Sequence, residues 1–191
     1  MTTSSPEAPD LETYAARAAE AAGGSVSVQH GTVKVKVAPG AWVEALTAAR
    51  DELGLVFFSW LSAVEWTNEV AIGDPLVDDV EERVELLATV ADLSDGRRVT
   101  FSTDLDAEHP AADSLVGVYR GANWHEREAA EMFGVDFRGH PGLDHLYLPD
   151  GFIGHPLRKA YALRSREVKP WPGKVDVEAM PDSPTTANPE R

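Results

Sequence analysis

The 191-residue sequence contains no cysteine, no apolar run long enough to cross a bilayer and no overall excess of positive charge. Without cysteine the chain forms no disulfide and offers no thiolate ligand to zinc or to an iron–sulfur cluster. The longest apolar run, residues 55–64, has ten residues, whereas a membrane-spanning helix needs about 20. The N-terminal residues lack the basic and apolar regions of a secretory signal, so we expect a cytoplasmic protein.

The charge of the chain is strongly negative, with 17 Lys and Arg against 32 Asp and Glu and a net charge of −15 at pH 7. Such a chain is not expected to bind nucleic acid or an anionic membrane surface directly. Residues 158–174 are the exception, because they hold six basic residues and a single glutamate. This basic segment is predicted to lie on the acidic body of the protein or on an acidic partner.

Local patterns predict helices and hairpins in the first part of the chain. An alanine-rich helix begins at Leu11, and apolar residues at helical spacing predict a second helix over residues 41–53. Alternation of apolar and polar residues on both sides of Gly31 predicts a hairpin with one buried face. A second hairpin is predicted where Asp-Gly at residues 95–96 separates two strand-like runs.

The remaining local predictions concern the middle and the end of the chain. Residues 55–66 are so apolar that they are predicted to form a central strand buried on both faces. Asp113 is predicted to cap a short helix that follows it. Residues 1–10 are predicted to be a mobile N-terminus, residues 11–160 a single domain, and residues 161–191 an extended, proline-rich tail.

The segment GANWHEREAAEMFG, residues 121–134, is followed by further histidines, and this cluster suggests a metal site. A helical zinc site needs His-Glu-x-x-His so that two imidazoles lie one turn apart, but the position of the second histidine is Ala129. A site assembled from loop histidines such as His140 and His155 stays open as an alternative, although their Gly-His-Pro contexts are typical of tight turns. A stand-alone metal-dependent hydrolase is therefore one candidate function.

The carboxylates of the same helix suggest acid–base catalysis as another alternative, since Glu128 and Glu131 lie one turn apart. The helical wheel instead favours a helix between its own sheet and a second surface, with its charges paired. Arg127 is predicted to pair with Glu131, and Glu128 is predicted to lie between Trp124 and Met132. The sequence contains no serine-hydrolase elbow, Walker loop or dinucleotide-binding glycine motif.

Residues 121–159 closely resemble the hallmark segment of the 30 kDa subunit family of respiratory complex I, which includes the C-type subunit of bacterial NADH-quinone oxidoreductase. Asp144 departs from the family pattern, which usually has Lys, Arg or Pro there. The residues that match the family pattern are Glu126, Arg127, Glu128, Glu131, Met132, Phe133 and His140, followed by His155, Pro156, Arg158 and Lys159 of the later block GHPLRK.

The resemblance implies an α+β fold, with a mixed β-sheet and helices packed on it, ahead of the extended C-terminal tail that the prolines predict. It implies a noncatalytic assembly subunit that docks beside the quinone-site (D-type) subunit of a proton-translocating complex and close to the cluster-bearing B-type and I-type subunits. NADH, FMN, iron–sulfur clusters and quinone are then held by partner subunits, and this chain holds none. The implied location is peripheral, at the cytoplasmic face of the cell membrane, with membrane association only through the hetero-oligomeric complex. An equivalent subunit of a membrane-bound hydrogenase or another quinone-linked dehydrogenase is the alternative within the same family.

The resemblance also implies roles for the motif residues. Glu126, Arg127 and Glu128 are expected to order the helix and the interface. The turn residues His140, His155 and Pro156 are expected to fix the glycine-rich loops around it. The basic segment begins with Arg158 and Lys159, and Trp171 is predicted to anchor it on a partner.

Overall fold

The computed structural model describes residues 11–68, 70 and 78–161. The predictions for residues 1–10, for Trp171 and for the tail beyond residue 161 lie outside the described residues. The elements are α1 (Leu11–Ala22), β1 (Ser25–Gln29), β2 (Thr32–Lys36), a 3₁₀ turn (Pro39–Ala41), α2 (Trp42–Asp51), β3 (Phe57–Trp66), β4 (Arg83–Ala91), β5 (Arg98–Leu105), β6 (Ala111–Asp113), α3 (Ala122–Phe133) and β7 (Asp136–Arg138).

The main sheet has five strands in the order β1-β2-β5-β4-β3, and β6 and β7 form a separate two-stranded sheet. Strands β2 and β5 run parallel and the other pairs of the main sheet run antiparallel, so the sheet is mixed. The predicted hairpins are confirmed by the pairing of β1 with β2 and of β4 with β5. The first one turns at His30 and Gly31, which both have positive φ, as the twist of a tight hairpin requires.

One face of the main sheet carries the hydrophobic core. Val35, Phe101 and Ala88 are register partners on neighbouring strands, and all three are fully buried. The three helices contribute to the same core cluster, for example through Ala18 of α1 and Trp42 of α2. None of the helices in the described ranges has the length and apolar character that a membrane span requires.

The prediction of a central strand over residues 55–66 is wrong, because β3 lies at the edge of the sheet. Its residues alternate between a side that packs under α3 and a side with exposed large side chains. Phe57, Trp60 and Val64 on the second side are 45, 38 and 40% exposed. An apolar run does not reveal whether its second face is buried within the chain or left for another molecule, and this ambiguity explains the error.

The prediction that Asp113 caps a helix is also wrong. Asp113 ends β6, and residues 114–120 form turns rather than a helix. Its carboxylate instead accepts a hydrogen bond from Arg138 Nε of the neighbouring strand β7, at 2.8 Å. The parallel pairing of β6 with β7 places the start of the turn segment beside the end of β7, where the Ser114 N–H donates to the Arg138 carbonyl at 2.9 Å.

Candidate functional site

Helix α3 carries the first block of the motif and is fixed to its surroundings on every turn. It begins after Gly121 and ends at Phe133, and Gly134 adopts the left-handed conformation (φ 76°) that ends a helix. The predicted helix over this segment is confirmed. Phe133 is buried, and Met132 packs partly against the hydrophobic core. The polar residues of α3 are described next, because their contacts decide what the motif does.

Glu126 is fully buried and holds the turn segment that precedes the helix. Its carboxylate accepts a hydrogen bond from the Ser114 hydroxyl and another from the Leu115 backbone N–H, both at 2.6 Å. Burial raises the pKa of Glu126 to about 7, although the two hydrogen bonds oppose this rise. The residue therefore joins α3 to residues 114–120, and both of its oxygens are occupied by donors from this chain.

His140 fixes the loop after β7 to the first turn of α3. Its Nε2 lies 3.2 Å from the Asn123 carbonyl, and the Gly142 N–H donates to its Nδ1 at 3.0 Å. These two contacts fit a neutral ring with its proton on Nε2, because Nδ1 is the acceptor. The side chain is fully buried, and Nε2 lies 4.0 Å from a carboxylate oxygen of Glu126.

Arg127 and Glu131 do not form the predicted ion pair, and each binds the backbone of residues 144–148 instead. Arg127 donates from Nε to the Asp144 carbonyl at 3.0 Å and from Nη2 to the His145 carbonyl at 3.1 Å. The Glu131 carboxylate accepts backbone N–H groups at distances of 2.6 to 3.2 Å. The donors to Glu131 are the amides of Leu146, Tyr147 and Leu148.

The environment of Glu131 favours its charged form. Burial by itself would raise the pKa of this carboxyl, but the three amide donors and the nearby His145 outweigh burial and lower the pKa. The pairing prediction failed because a loop 13 to 17 residues further along the chain supplies stronger partners than the opposite charge one turn away. We call residues 144–148 the clamped loop.

The GHPLRK block satisfies the carbonyls at the C-terminal end of α3. The last four carbonyls of a helix have no partner within it, and here all four are bonded. The Ala130 carbonyl accepts the Gly134 N–H. The GHPLRK block bonds the other three. His155 Nδ1 lies 2.9 Å from the Glu131 carbonyl, and the Leu157 N–H donates to the Met132 carbonyl at 3.1 Å. Arg158 Nε donates to the Phe133 carbonyl at 2.7 Å.

The same block joins α3 to β3. Arg158 also donates to the Ala107 carbonyl at 3.3 Å and lies 3.9 Å from a carboxylate oxygen of Glu65 on β3. The Lys159 backbone N–H donates to the other oxygen of Glu65. The segment on both sides of Pro156 is thereby held at two elements that are far apart in sequence. A positive charge at the C-terminal end of a helix also suits the helix dipole.

Several contributors to the site were missed by the sequence analysis. Ser114, Asn123 and Glu65 each supply a contact to a motif residue, yet none of the three is a matched position of the family pattern. The side chain of Glu128 of the motif is half-exposed and makes no hydrogen bond or ion pair with any residue that the structure describes. His140 and His155 bond to backbone groups, and within the described ranges there is no group of three or more His, Asp or Glu side chains that could hold a metal.

Several large apolar side chains of this assembly are exposed. Trp124 is exposed beneath the Arg127 guanidinium, which lies 5.2 Å from its ring centre. Tyr147 of the clamped loop is 62% exposed and Ile153 is 89% exposed. We call this the α3 surface, and its members are Trp124, Leu143, Tyr147, Ile153 and Leu157. A cavity of about 150 Å³ between α3 and the loop opens beside it, lined partly by Leu143, Leu148 and Phe152.

The α3 surface combines exposed apolar side chains with a fixed backbone. Its apolar side chains are held by segments whose backbones are hydrogen-bonded to α3, so little conformational freedom is lost when a partner binds. Exposed apolar groups of this size, gathered on one rigid element and its clamped neighbours, mark protein–protein contact sites. The polar motif residues beneath this surface form the hydrogen bonds that hold its segments against α3.

Comparison with known proteins gives consistent similarities. Residues 35–167 match the family described as respiratory-chain NADH dehydrogenase, 30 kDa subunit. The chain is 33% identical over 140 residues to the NADH-quinone oxidoreductase C-type subunit of a Roseiflexus species, which covers 72% of this chain and 74% of that protein. It is 39% identical over 98 residues to the NADH-quinone oxidoreductase C/D-type subunit of Chromohalobacter salexigens, which covers 51% of this chain and 17% of that protein.

Two solved structures share the fold. A trypsin-resistant fragment of Nqo5 superimposes with a TM-score of 0.54 at 20% identity, over 70% of this chain and 99% of the fragment. A chain of the membrane-bound sulfane sulfur reductase, an archaeal respiratory membrane complex, gives a TM-score of 0.59 at 18% identity, over 73% of this chain and 77% of that one. The α+β fold with a mixed sheet, predicted from the sequence, is thereby confirmed.

Proposed function

The chain belongs to the respiratory-chain NADH dehydrogenase 30 kDa subunit family, and from this premise we propose that it is a noncatalytic assembly subunit of a proton-translocating NADH-quinone oxidoreductase. In this proposal the chain docks beside the quinone-site (D-type) subunit through the α3 surface. NADH, FMN, iron–sulfur clusters and quinone are bound by partner subunits. The chain holds none of them and reaches the cytoplasmic face of the membrane only through the complex.

The single observation that carries the proposal is how the motif uses its polar atoms. Five motif residues form hydrogen bonds to groups of this chain: Glu126, Arg127, Glu131, His155 and Arg158. All of them except Glu126 bond mainly to backbone groups. A catalytic acid, base or ligand needs an atom directed at a substrate. These residues instead hold three segments in fixed positions around α3 and leave apolar side chains on the outside.

The quinone-site subunit is the partner that the relatives favour. The Chromohalobacter protein is named as a combined C/D-type subunit, and this chain is similar to part of it. A fusion of two subunits keeps them together at high effective concentration, which suits subunits that bind each other. The B-type and I-type subunits are further proposed neighbours, on the resemblance of the motif alone.

The proposal is tested by affinity purification of the tagged chain from native membranes, followed by identification of the copurifying chains. Trp124→Ser combined with Tyr147→Ser is expected to lower recovery of the quinone-site subunit strongly, because two exposed aromatic anchors are removed. Leu93→Ser is the matched control, since Leu93 is exposed in the turn between β4 and β5 and is not part of the α3 surface. Recovery of the quinone-site subunit at wild-type levels with the double variant would contradict the proposal.

An equivalent subunit of a related respiratory complex is the second candidate, and one observation favours it. The fold is shared with a chain of the membrane-bound sulfane sulfur reductase. The same purification separates the two candidates, because a flavin-containing, NADH-oxidising subunit among the copurifying chains supports the first. Its absence, together with hydrogenase-like or sulfur-reducing activity in the purified complex, supports the second.

A further inference from the structure

The second face of the main sheet carries no helix in the part of the chain that the structure describes. All three helices join the core on the face that contains Val35, Ala88 and Phe101. The register of the strands places the residues between them on the opposite side. We call this side the open face and define it by the apolar residues of β3 on this side and by its charged residues, Lys34, Lys36, Arg83, Glu85, Arg98 and Asp104.

A row of large apolar side chains follows β3 along the open face. Phe57, Trp60 and Val64 are all more than a third exposed. Helix α3 cannot cover them, because it packs on the other side of β3, where Phe58 contacts Tyr119 and His125. The row is therefore separate from the α3 surface and lies on the opposite side of the same strand. Exposed apolar side chains in a row of this kind mark a contact site.

The charge of the open face differs in sign from that of the chain. Its carboxylates lie beneath its cations: Lys34 pairs with Glu85 and Lys36 pairs with Asp104. The side chain of Glu85 is 7% exposed against 36% for Lys34, and that of Asp104 is 31% exposed against 48% for Lys36. The side chain of Arg98 is exposed and makes no hydrogen bond or ion pair with a described residue. A partner that approaches this face meets positive charge and apolar side chains, although the net charge of the chain is −15.

We propose that the open face is a second docking surface, which binds an acidic surface with large apolar side chains on a neighbouring subunit other than the one at the α3 surface. The inference rests on the proposed function and deepens it, because the chain then bridges two neighbours. Carboxylates on the partner complement Lys34, Lys36 and Arg98, and its apolar side chains cover Trp60 and Val64.

Two other occupants fit the face less well. A second copy of this chain would bring the same cations together across a two-fold axis, which is repulsive. An extra strand added to the free edge of β3 would meet the irregularity between Phe58 and Trp60, where the strand register shifts. Such bulges interrupt edge-to-edge pairing. The face, rather than the edge, is the contact surface.

The test is site-specific photo-crosslinking of the full-length chain within the native complex. The photoreactive residue p-benzoylphenylalanine replaces Trp60 in one variant, Tyr147 in a second and Leu93 in a third. We expect Trp60 and Tyr147 to crosslink to different chains, and the peptide caught from position 60 to be acidic and apolar. Leu93 is the control and is expected to give no specific product.

Substitutions measure the strength of the contact. Trp60→Thr keeps strand propensity and removes the anchor, and we expect it to lower retention of the second neighbour about tenfold or more. Arg98→Glu should lower retention of the same neighbour more at low salt than at high salt. Leu93→Thr is the matched control and should leave retention unchanged. Circular dichroism of each purified variant verifies that the fold is kept.

The outcomes separate this inference from the proposed function. The second docking surface is overturned if position 60 crosslinks to the chain caught from position 147, to a second copy of this chain or to residues 162–191 of the same chain. It is also overturned if position 60 gives no crosslink. A crosslink from position 147 to no other chain overturns the proposed function, whatever position 60 gives. Crosslinks from the two positions to two different subunits support both.

Discussion

Arg127 and Glu131 lie one helical turn apart with opposite charges, and both bind the backbone of the clamped loop rather than each other. Arg127 donates hydrogen bonds to the carbonyls of Asp144 and His145. Glu131 accepts hydrogen bonds from the backbone amides of the three residues that follow. Each charge thus faces the backbone dipoles of the opposite sign. A helix face that would form an ordinary surface ion pair in isolation here holds the loop that carries Tyr147.

Removal of the charge of Glu131 is expected to release the clamped loop. In Glu131→Gln one carboxylate oxygen becomes an amide N–H₂, which cannot accept the backbone amides, so we expect a loss of about 1 to 3 kcal/mol in the free energy of unfolding. Hydrogen exchange of the amides of residues 146–148 should become faster. The control is Glu128→Gln, which changes the same charge on the same helix and should stay within about 0.5 kcal/mol. Equal effects of the two substitutions would show that the loop does not depend on Glu131.

Glu126 is expected to make stability depend on pH. Its pKa rises from 4.5 to about 7 on folding, so the folded state binds the proton more tightly than the unfolded state. The contribution is fully present below about pH 4.5 and is lost as the pH rises through about 7, by an amount on the order of 3 kcal/mol.

The measurement is denaturant unfolding of the wild type and of Glu126→Gln between pH 4.5 and 8. Because Gln cannot ionise, the stability of the variant relative to the wild type should improve steadily across this range. A difference between the two proteins that does not change with pH would show that Glu126 is charged throughout.

Gly134 is expected to be required for the seating of the GHPLRK block. A Cβ atom at this position would lie 2.7 Å from Nε2 of His155, and the backbone has a φ of +76°. Gly134→Ala therefore combines backbone strain with a clash, and we expect a loss of more than about 1 kcal/mol. Gly139 has a similar φ of +80° and no atom within 4 Å of the added Cβ, so Gly139→Ala isolates the strain alone. Thermal unfolding of the two variants should give the lower midpoint for Gly134→Ala, and the reverse order would contradict a role for His155 packing.

The basic segment is expected to be needed for assembly rather than for folding. Truncation after Tyr161 keeps Arg158 on the end of α3 and removes the rest of the segment, including Trp171. We expect the truncated chain to fold and to be lost from the complex, and Trp171→Ala to reproduce part of that loss. Circular dichroism checks the fold, and purification from membranes checks assembly. Assembly of the truncated chain at wild-type levels would show that the segment is dispensable.

The sequence predicted much of the local structure. The helix at residues 122–133 was anticipated from the helical wheel of this segment, and the hairpin at Gly31 from the alternation on both sides of it. These predictions succeeded because helix and hairpin formation depend on residues that are near in sequence. The placement of β3 failed because the exposure of a strand face depends on elements elsewhere in the chain.

The candidate site also has features that local sequence predicts and features that depend on the tertiary structure. The sequence by itself determined which residues form the motif, the absence of cysteine chemistry and the charge contrast between the body and the basic segment. Only the tertiary structure decided what each motif residue contacts, since Glu131 meets amides 15 to 17 residues away and Lys159 meets Glu65 across 94 residues. Side-chain charge is readable from the sequence, but the partner of a charge is set by which backbone groups the fold brings within hydrogen-bonding distance.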